Sequence, residues 1–440
     1  MPAPEHHRDQ LASGRPAGPD PALTGQPAAG PDEHPALAAY RTRTRRAMTI
    51  YAAALTLLAV AVFAGVRIAY AHGELSHVSK RSAPAATPVP SAATGASLTT
   101  SWKTADRAAG GDPYYGGVVV TYSAHTVNGR DARTGEVRWH YTRSDATLCS
   151  VLQQDATTIA IYDRRGNCDE VNGFVTATGE PKWYRTLTDD GLTAADSAPN
   201  VVLTVAAHTV HVFDNAGGLD RWNWTAPTGC TVTRALAGSL GVLIGLDCGA
   251  RHQLVLRDLI QDKDDWSVDV PAAMVPIAAD AFVGAIDPRT GRLVQYSADK
   301  GAATQRAVIA TGGPLSSALA RLPRAATSVV ANATDGAQGH DVEISLLDKL
   351  YAFTGAGTLA WSAPASAAPT VLADGATVAA ADAGQVVLRR ASDGAVERAV
   401  RLSPAPDSAY RAYSVGAGLL IATMATAATT ETTETTEMFQ

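Results

Sequence analysis

Charge is scarce in this chain: Asp, Glu, Lys and Arg make up 18% of its 440 residues, against roughly 25% in an ordinary soluble domain. What charge there is sums to −6, with a pI of about 6.0, which excludes a basic nucleic-acid-binding protein. Phenylalanine is rare as well, 6 residues against 38 Gly and 24 Pro, so the chain reads as turn-rich rather than helical. Cysteine is limited to 4 residues, and none precedes Cys149, which removes a lipobox and with it a lipoprotein anchor. Only one hydrophobic run is long enough to cross a bilayer, so a polytopic membrane protein is excluded. No Gly-x-Ser-x-Gly elbow, P-loop or His-Glu-x-x-His is present, and these absences remove three common enzyme readings. Disorder throughout is excluded by the 46% apolar content.

What is present begins with a Pro/Ala/Gly/Asp tail over residues 1–40, too poor in apolar side chains to fold. His6 and His7 lie in it and read as solvated. Arg41, Arg43, Arg45 and Arg46 then crowd the start of the run from Ala47 to Val66, 20 residues without a charge. As a helix this run would measure about 30 Å, the thickness of the hydrocarbon layer. Arg67 and Tyr70 suit the far interface. The four arginines set orientation by the positive-inside rule: 1–46 cytoplasmic, 47–71 a membrane anchor, the remainder outside. Ala69-Tyr70-Ala71 also fits a signal-peptidase site, so a cleaved signal is the alternative. Residues 72–99 read as a Pro/Ala/Ser/Thr stalk, and 428–440 as a solvated Thr/Glu tail. Setting aside the six basic and five acidic residues before position 47, and Arg67, leaves the remainder at −8.

Between stalk and tail, over 100–427, the chain repeats itself about every forty residues. Gly129–Trp139, Gly173–Trp183 and Val212–Trp222 each place a Gly (Gly135, Gly179, Gly218) four residues before a Trp. Asp131, Asp214 and Asp258 stand eight residues before Trp139, Trp222 and Trp266. Weaker copies carry Asp287 and Gly291 before Tyr296, and Gly357 before Trp361. Val/Ile/Thr-rich runs such as GGVVVTYSAHTV and NVVLTVAAHTVHVFD precede these turns and read as strands. Asp-x-x-Thr-Gly, best seen in Asp131, Thr134 and Gly135, is tight-turn chemistry between the last two strands of a four-stranded unit. The Trp then fills the seam between sheets. Four strands per forty residues make a propeller blade.

The pattern resembles the A-x-D-x-x-T-G-x-x-x-W repeat of PQQ-like β-propellers, the fold of quinoprotein alcohol dehydrogenases and of an outer-membrane assembly lipoprotein. The resemblance implies an all-β, seven- or eight-bladed β-propeller, eight favoured, preceded by one transmembrane helix. Leu98–Trp102 would complete the last blade from the other terminus.

Cys149, Cys168, Cys230 and Cys248 all follow the membrane run. Their separations of 19 and 18 put each pair at neighbouring strand ends, so the repeat register pairs 149 with 168 and 230 with 248. Each loop of about 20 residues would contribute roughly 3 kcal/mol. Free thiols or a Cys₄ zinc site are the alternatives, although the short knuckle of a zinc site is missing. His208 and His211, three apart on a strand, fall on opposite faces. Asp262, Asp264 and Asp265 lack the Gly and Glu of a calcium loop, and Asn223 and Asn332 open N-glycosylation patterns. Quinoprotein dehydrogenases hold their quinone against adjacent cysteines and a calcium ion. This sequence has no adjacent cysteines and no calcium ligands placed by motif. The expectation is therefore no catalytic, cofactor-binding or metal-binding residue, and a non-catalytic scaffold for an envelope protein or polymer. A transmembrane sensor using the cytoplasmic tail, or a quinone-dependent oxidoreductase, is the alternative. No nucleic acid is expected as partner, and oligomeric state is not legible.

Overall fold

A computed structural model describes residues 35–72, 77–90, 97–164, 166–187, 191–279, 283–287, 289–310, 330–331, 342–346, 349–353, 359–364, 370–371, 377–382, 385–403, 410–416, 418–423 and 435–440. The chain divides into two compact units, Met1–Ala71 and His72–Gln440. The described part of the first is one helix, Pro35–His72. It starts earlier than the expected boundary at 47, because Pro35 suits the first helical position and the Ala-rich stretch after it has high helix propensity. Within it Arg43–Val66 is long and apolar enough to cross a membrane, with no side chain of that window buried in protein. Arg43, Arg45 and Arg46 are exposed or nearly so at its start, while Arg41 is described only as helical backbone.

The second unit is a β-propeller. Among the described residues its strands form eight four-stranded blades. Blade two is typical: Thr147–Gln154, Thr157–Asp163, Glu170–Val175 and Pro181–Thr186, each antiparallel to the next. Middle strands are buried and mostly apolar while outer strands alternate, as in Val201–Ala206, buried throughout, against the mostly exposed Asp220–Thr225. That gradient reflects sheets covered on both faces inside and wetted at the rim. Apolar clusters lie between consecutive blades. One joins Val201, Leu203 and Val212 of blade three to Val232, Val242 and Ile244 of blade four.

Blade eight closes the ring with strands from both ends of the sequence. Tyr410–Val415, Gly418–Thr423 and Thr436–Phe439 are followed by Ser97–Thr104 as the outermost strand. The last four-residue strand corrects the expected solvated tail. Thr436, Glu437, Met438 and Phe439 are all buried, with Phe439 in the seam to blade seven and Met438 in the seam to blade one. Alternation along a strand sends neighbouring side chains to opposite faces, and here both faces are core.

The expected stalk is corrected as well. Val78–Arg81 adds a further strand at the outer edge of blade one, antiparallel to Val137–Arg143. Residues 82–90 then cross the end of the blades that carries the third-to-fourth-strand turns. Ala83 N–H donates to the Thr178 carbonyl at 3.0 Å. Arg138 and Arg133 donate to the carbonyls of Pro84 (2.8 Å) and Pro88 (3.4 Å). Proline lacks an N–H but keeps its carbonyl, so a proline-rich strap is held from outside, by guanidinium groups.

Candidate functional site

The repeat motif sits at the seams. Asp131 Oδ1 accepts from the N–H groups of Arg133 (3.0 Å) and Thr134 (3.2 Å), and Gly135, at φ 73°, donates to the Asp131 carbonyl at 2.8 Å. Asp214 and Gly218 repeat this arrangement. Six of the seven tryptophans donate the indole N–H to a carbonyl of the next blade: Trp102 to Ala132, Trp139 to Thr176, Trp183 to Asn215, Trp222 to Asp258, Trp266 to Ser297 and Trp361 to Ala391, at 2.8–3.1 Å. The turn glycine of that next blade lies flat on the ring. A Cβ on Gly135, Gly179 or Gly218 would stand 2.5–2.7 Å from Trp102, Trp139 or Trp183. Trp102 supplies the closing blade's copy. Gly357 lies outside the described residues.

Two copies depart from the pattern. In blade four Asp262 replaces the glycine, and Arg257 covers the ring instead, 4.9 Å above Trp222 and paired with Asp262 and Asp264. In blade five Asp287 and Gly291 form the expected turn, but between the second and third strands, Val283–Asp287 and Arg292–Tyr296. Tyr296 therefore ends the third strand, where its ring packs on Trp266 at 5.7 Å, rather than an outer one. The motif codes only for a turn and does not say which strands it joins.

Asp258 accepts from the backbone of Ile260 and Gln261 and from Lys300 Nζ at 2.8 Å, a link from blade four to blade five. Lys300 and these N–H groups hold its carboxyl down, to about 2. A depressed carboxyl stabilises the fold above its unfolded value and loses that contribution as pH falls through 4 towards 2. Lys300→Met should therefore lower the urea midpoint at pH 7, and the gap to wild type should narrow as pH falls to 2.

Antiparallel strands put the third-to-fourth turns at one end of the propeller, where the strap crosses those of blades one and two. The second-to-third hairpins and the connections to the next blade lie at the other end. Both disulfides are at this connection end. Cys149 bonds to Cys168 (Cα–Cα 6.0 Å) and Cys230 to Cys248 (4.0 Å). The two are not at equivalent positions. Cys149 occupies the bulge in the first strand of blade two, where blade four has Thr233; Cys230 precedes its strand. Replacing Cys149 and Cys168 by Ser should cost roughly 3 kcal/mol in unfolding free energy, read as a lower denaturant midpoint.

The connection into blade two is fixed from below by Arg143, a buried guanidinium. It donates twice to Asp145, at 2.8 and 3.0 Å, and once to Glu170. Asp145 holds Arg143 above its usual pKa, and Arg143 in turn holds Asp145 below the usual carboxylate value. Above it a cavity of 310 Å³ is lined by His125, Ser144, Asp145, Thr147, Asp163 and Arg164. A second, of 460 Å³, lies against the strap and Arg133.

His208 stands in a hairpin just before its strand, exposed, whereas His211 is buried on the strand. Asp264 pairs with Arg257 and Asp265 with Lys300. Asn223 is exposed on an outer strand, and Asn332, His6 and His7 lie outside the described residues. Among the described residues no three His, Cys, Asp or Glu side chains converge as metal ligands.

No protein-family model matches the sequence, and no curated protein is similar to it. Solved structures match by shape. The computationally designed Ika8 protein is 15% identical over 78% of this chain and 99% of its own, with a TM-score of 0.52. BamB from Moraxella catarrhalis is 15% identical over 82% and 96%, at 0.40. The quinohemoprotein alcohol dehydrogenase ADHIIG from Pseudomonas putida is 12% identical over 78% and 76%, at 0.46. At such identities the likeness concerns the fold alone.

Proposed function

We propose that this chain is a membrane-anchored, extracytoplasmic propeller that binds a cell-envelope protein or polymer without catalysing a reaction on it. The observation that carries the reading is the contrast between the two ends. One is crossed by the chain's own strap, with Arg133 and Arg138 engaged on its carbonyls. The other carries both disulfides, Cys149–Cys168 and Cys230–Cys248, pinning exposed loops. Loops held rigid before binding lose less entropy on docking. Disulfides also belong to oxidising compartments, in keeping with an Arg-flanked anchor whose arginines stay inside. A reporter active only outside the cell, fused after residue 100, should be active. Protease added to spheroplasts should digest the propeller and spare residues 1–46.

The repeat itself gives no reason to expect a quinone, because Trp139 and its counterparts are fully engaged in seams. The full-length protein mixed with pyrroloquinoline quinone and calcium should show no change in quinone spectrum and no rise in melting temperature. A ligand at 100 times its dissociation constant adds about 2.7 kcal/mol, readily seen. Such a rise, with dye reduction by an alcohol or sugar, would replace the binding reading by an oxidoreductase.

A further inference from the structure

The connection end carries one arrangement twice. Blade one turns from its second to its third strand through Ala124-His125-Thr126-Val127, and blade three through Ala207-His208-Thr209-Val210. Several backbone bonds around the two turns match. Leu148 N–H donates to the Ala124 carbonyl at 2.7 Å, and Val232 N–H to the Ala207 carbonyl at 2.8 Å. The carbonyls of His125 and His208 accept from the N–H groups of Arg143 and Ala226, at 2.9 and 2.7 Å. Thr126 lies opposite Thr142, and Thr209 opposite Thr225. In the following blade, Asp163 pairs across from Thr147 and Asp247 across from Thr231.

Both imidazoles are exposed and both are oriented the same way. Nδ1 of His125 lies 2.7 Å from the Ala146 carbonyl, and Nδ1 of His208 3.0 Å from the Cys230 carbonyl. A carbonyl can only accept, so Nδ1 donates in each, and in the neutral ring Nε2 presents its lone pair to solvent. Asp163 lines the same cavity as His125; Asp247 holds the matching register position in the second copy, its carboxylate 3.4 Å from His252 Nδ1. Each copy thus offers an outward acceptor hydrogen-bonded to a connection next to a disulfide, and the first copy opens on the 310 Å³ cavity that His125 and Asp163 both line.

We infer that His125 with Asp163 and His208 with Asp247 are two related subsites for a polyhydroxylated envelope polymer, one repeating chain spanning both. This rests on the binding reading above and names its partner class. Acceptors in duplicate call for a ligand that presents the same O–H donors at intervals. A saccharide chain does so by construction. A folded protein does so only with an internal repeat of matching spacing. Joining two weak subsites on one chain multiplies affinity through effective concentration, without any new contact.

The test uses the full-length protein in detergent, with envelope glycan stripped of protein by detergent and protease as the probe, in a co-sedimentation assay. Wild type should co-sediment. H125A and H208A should each weaken binding tenfold or more, and the double variant should abolish it. D247N, which keeps the loop's shape, should match H208A. The histidine variants lose one surface hydrogen bond per ring and should melt close to wild type. Unchanged binding by the double variant would overturn the inference. So would a wild type that ignores the glycan but cross-links to an envelope protein; in that case the binding-module reading stands and only the polymer is wrong.

Discussion

Removing residues 435–440 should abolish cooperative folding of the propeller. The deletion takes out the third strand of blade eight, and with it Met438 and Phe439, each at 0% exposure. Truncating a buried Met or Phe to Ala costs about 2–5 kcal/mol apiece. Losing both, and the pairing of Thr100–Thr104 to this strand, approaches the whole stability of an ordinary domain. Two edges would also be left open to aggregation. The milder F439A should fold, with an unfolding free energy lower by about 4 kcal/mol. Urea denaturation followed by tryptophan fluorescence reads both. A truncated protein melting within a few degrees of full length would show that the ring closes without this strand.

Gly179→Val should be nearly as damaging as Trp139→Ala. Trp139 is at 0% exposure, donates to the Thr176 carbonyl at 2.8 Å and lies on Gly179. Removing the indole should cost about 3–5 kcal/mol. Valine at 179 brings a Cβ to 2.5 Å from the same ring at a φ of +73°, a backbone region that β-branched residues avoid. The two changes act on one contact, so the double variant should lose clearly less than the sum of the singles. Strict additivity would mean that the ring and the glycine do not depend on each other.

The seams could be read from the sequence because their chemistry is local and repeated: a glycine four residues before Trp139, Trp183 and Trp222 admits few other structures. Closure by Leu98–Trp102 followed from the count of outer strands. Thr436–Phe439 was obscured by the Thr-Thr-Glu run that leads into it, and its outer partner, the strand of Trp102, comes from the other end of the propeller sequence. The strap was misread for the same reason, since Arg133 and Arg138 hold it across some fifty residues. Asp287 misled because turn chemistry is indifferent to strand position. The candidate site was the least legible part. Its signal, Ala-His-Thr-Val at 124–127 and again at 207–210, lies inside two runs that read simply as strands. Only the pairing of His125 with Ala146 and of His208 with Cys230 shows that both rings face outward alike.

The claim that one end of the propeller binds and the other is engaged by its own chain has a direct test. A photo-reactive amino acid would be placed at exposed positions of the connection end, Asn167, Thr228 and Ala250, and of the turn end, Thr134 and Glu180. After irradiation in the native envelope, adducts are mapped by mass spectrometry. The account predicts envelope adducts from the first three positions and few or none from the other two. Adducts concentrated at Thr134 and Glu180, or absent from Asn167, Thr228 and Ala250, would contradict it.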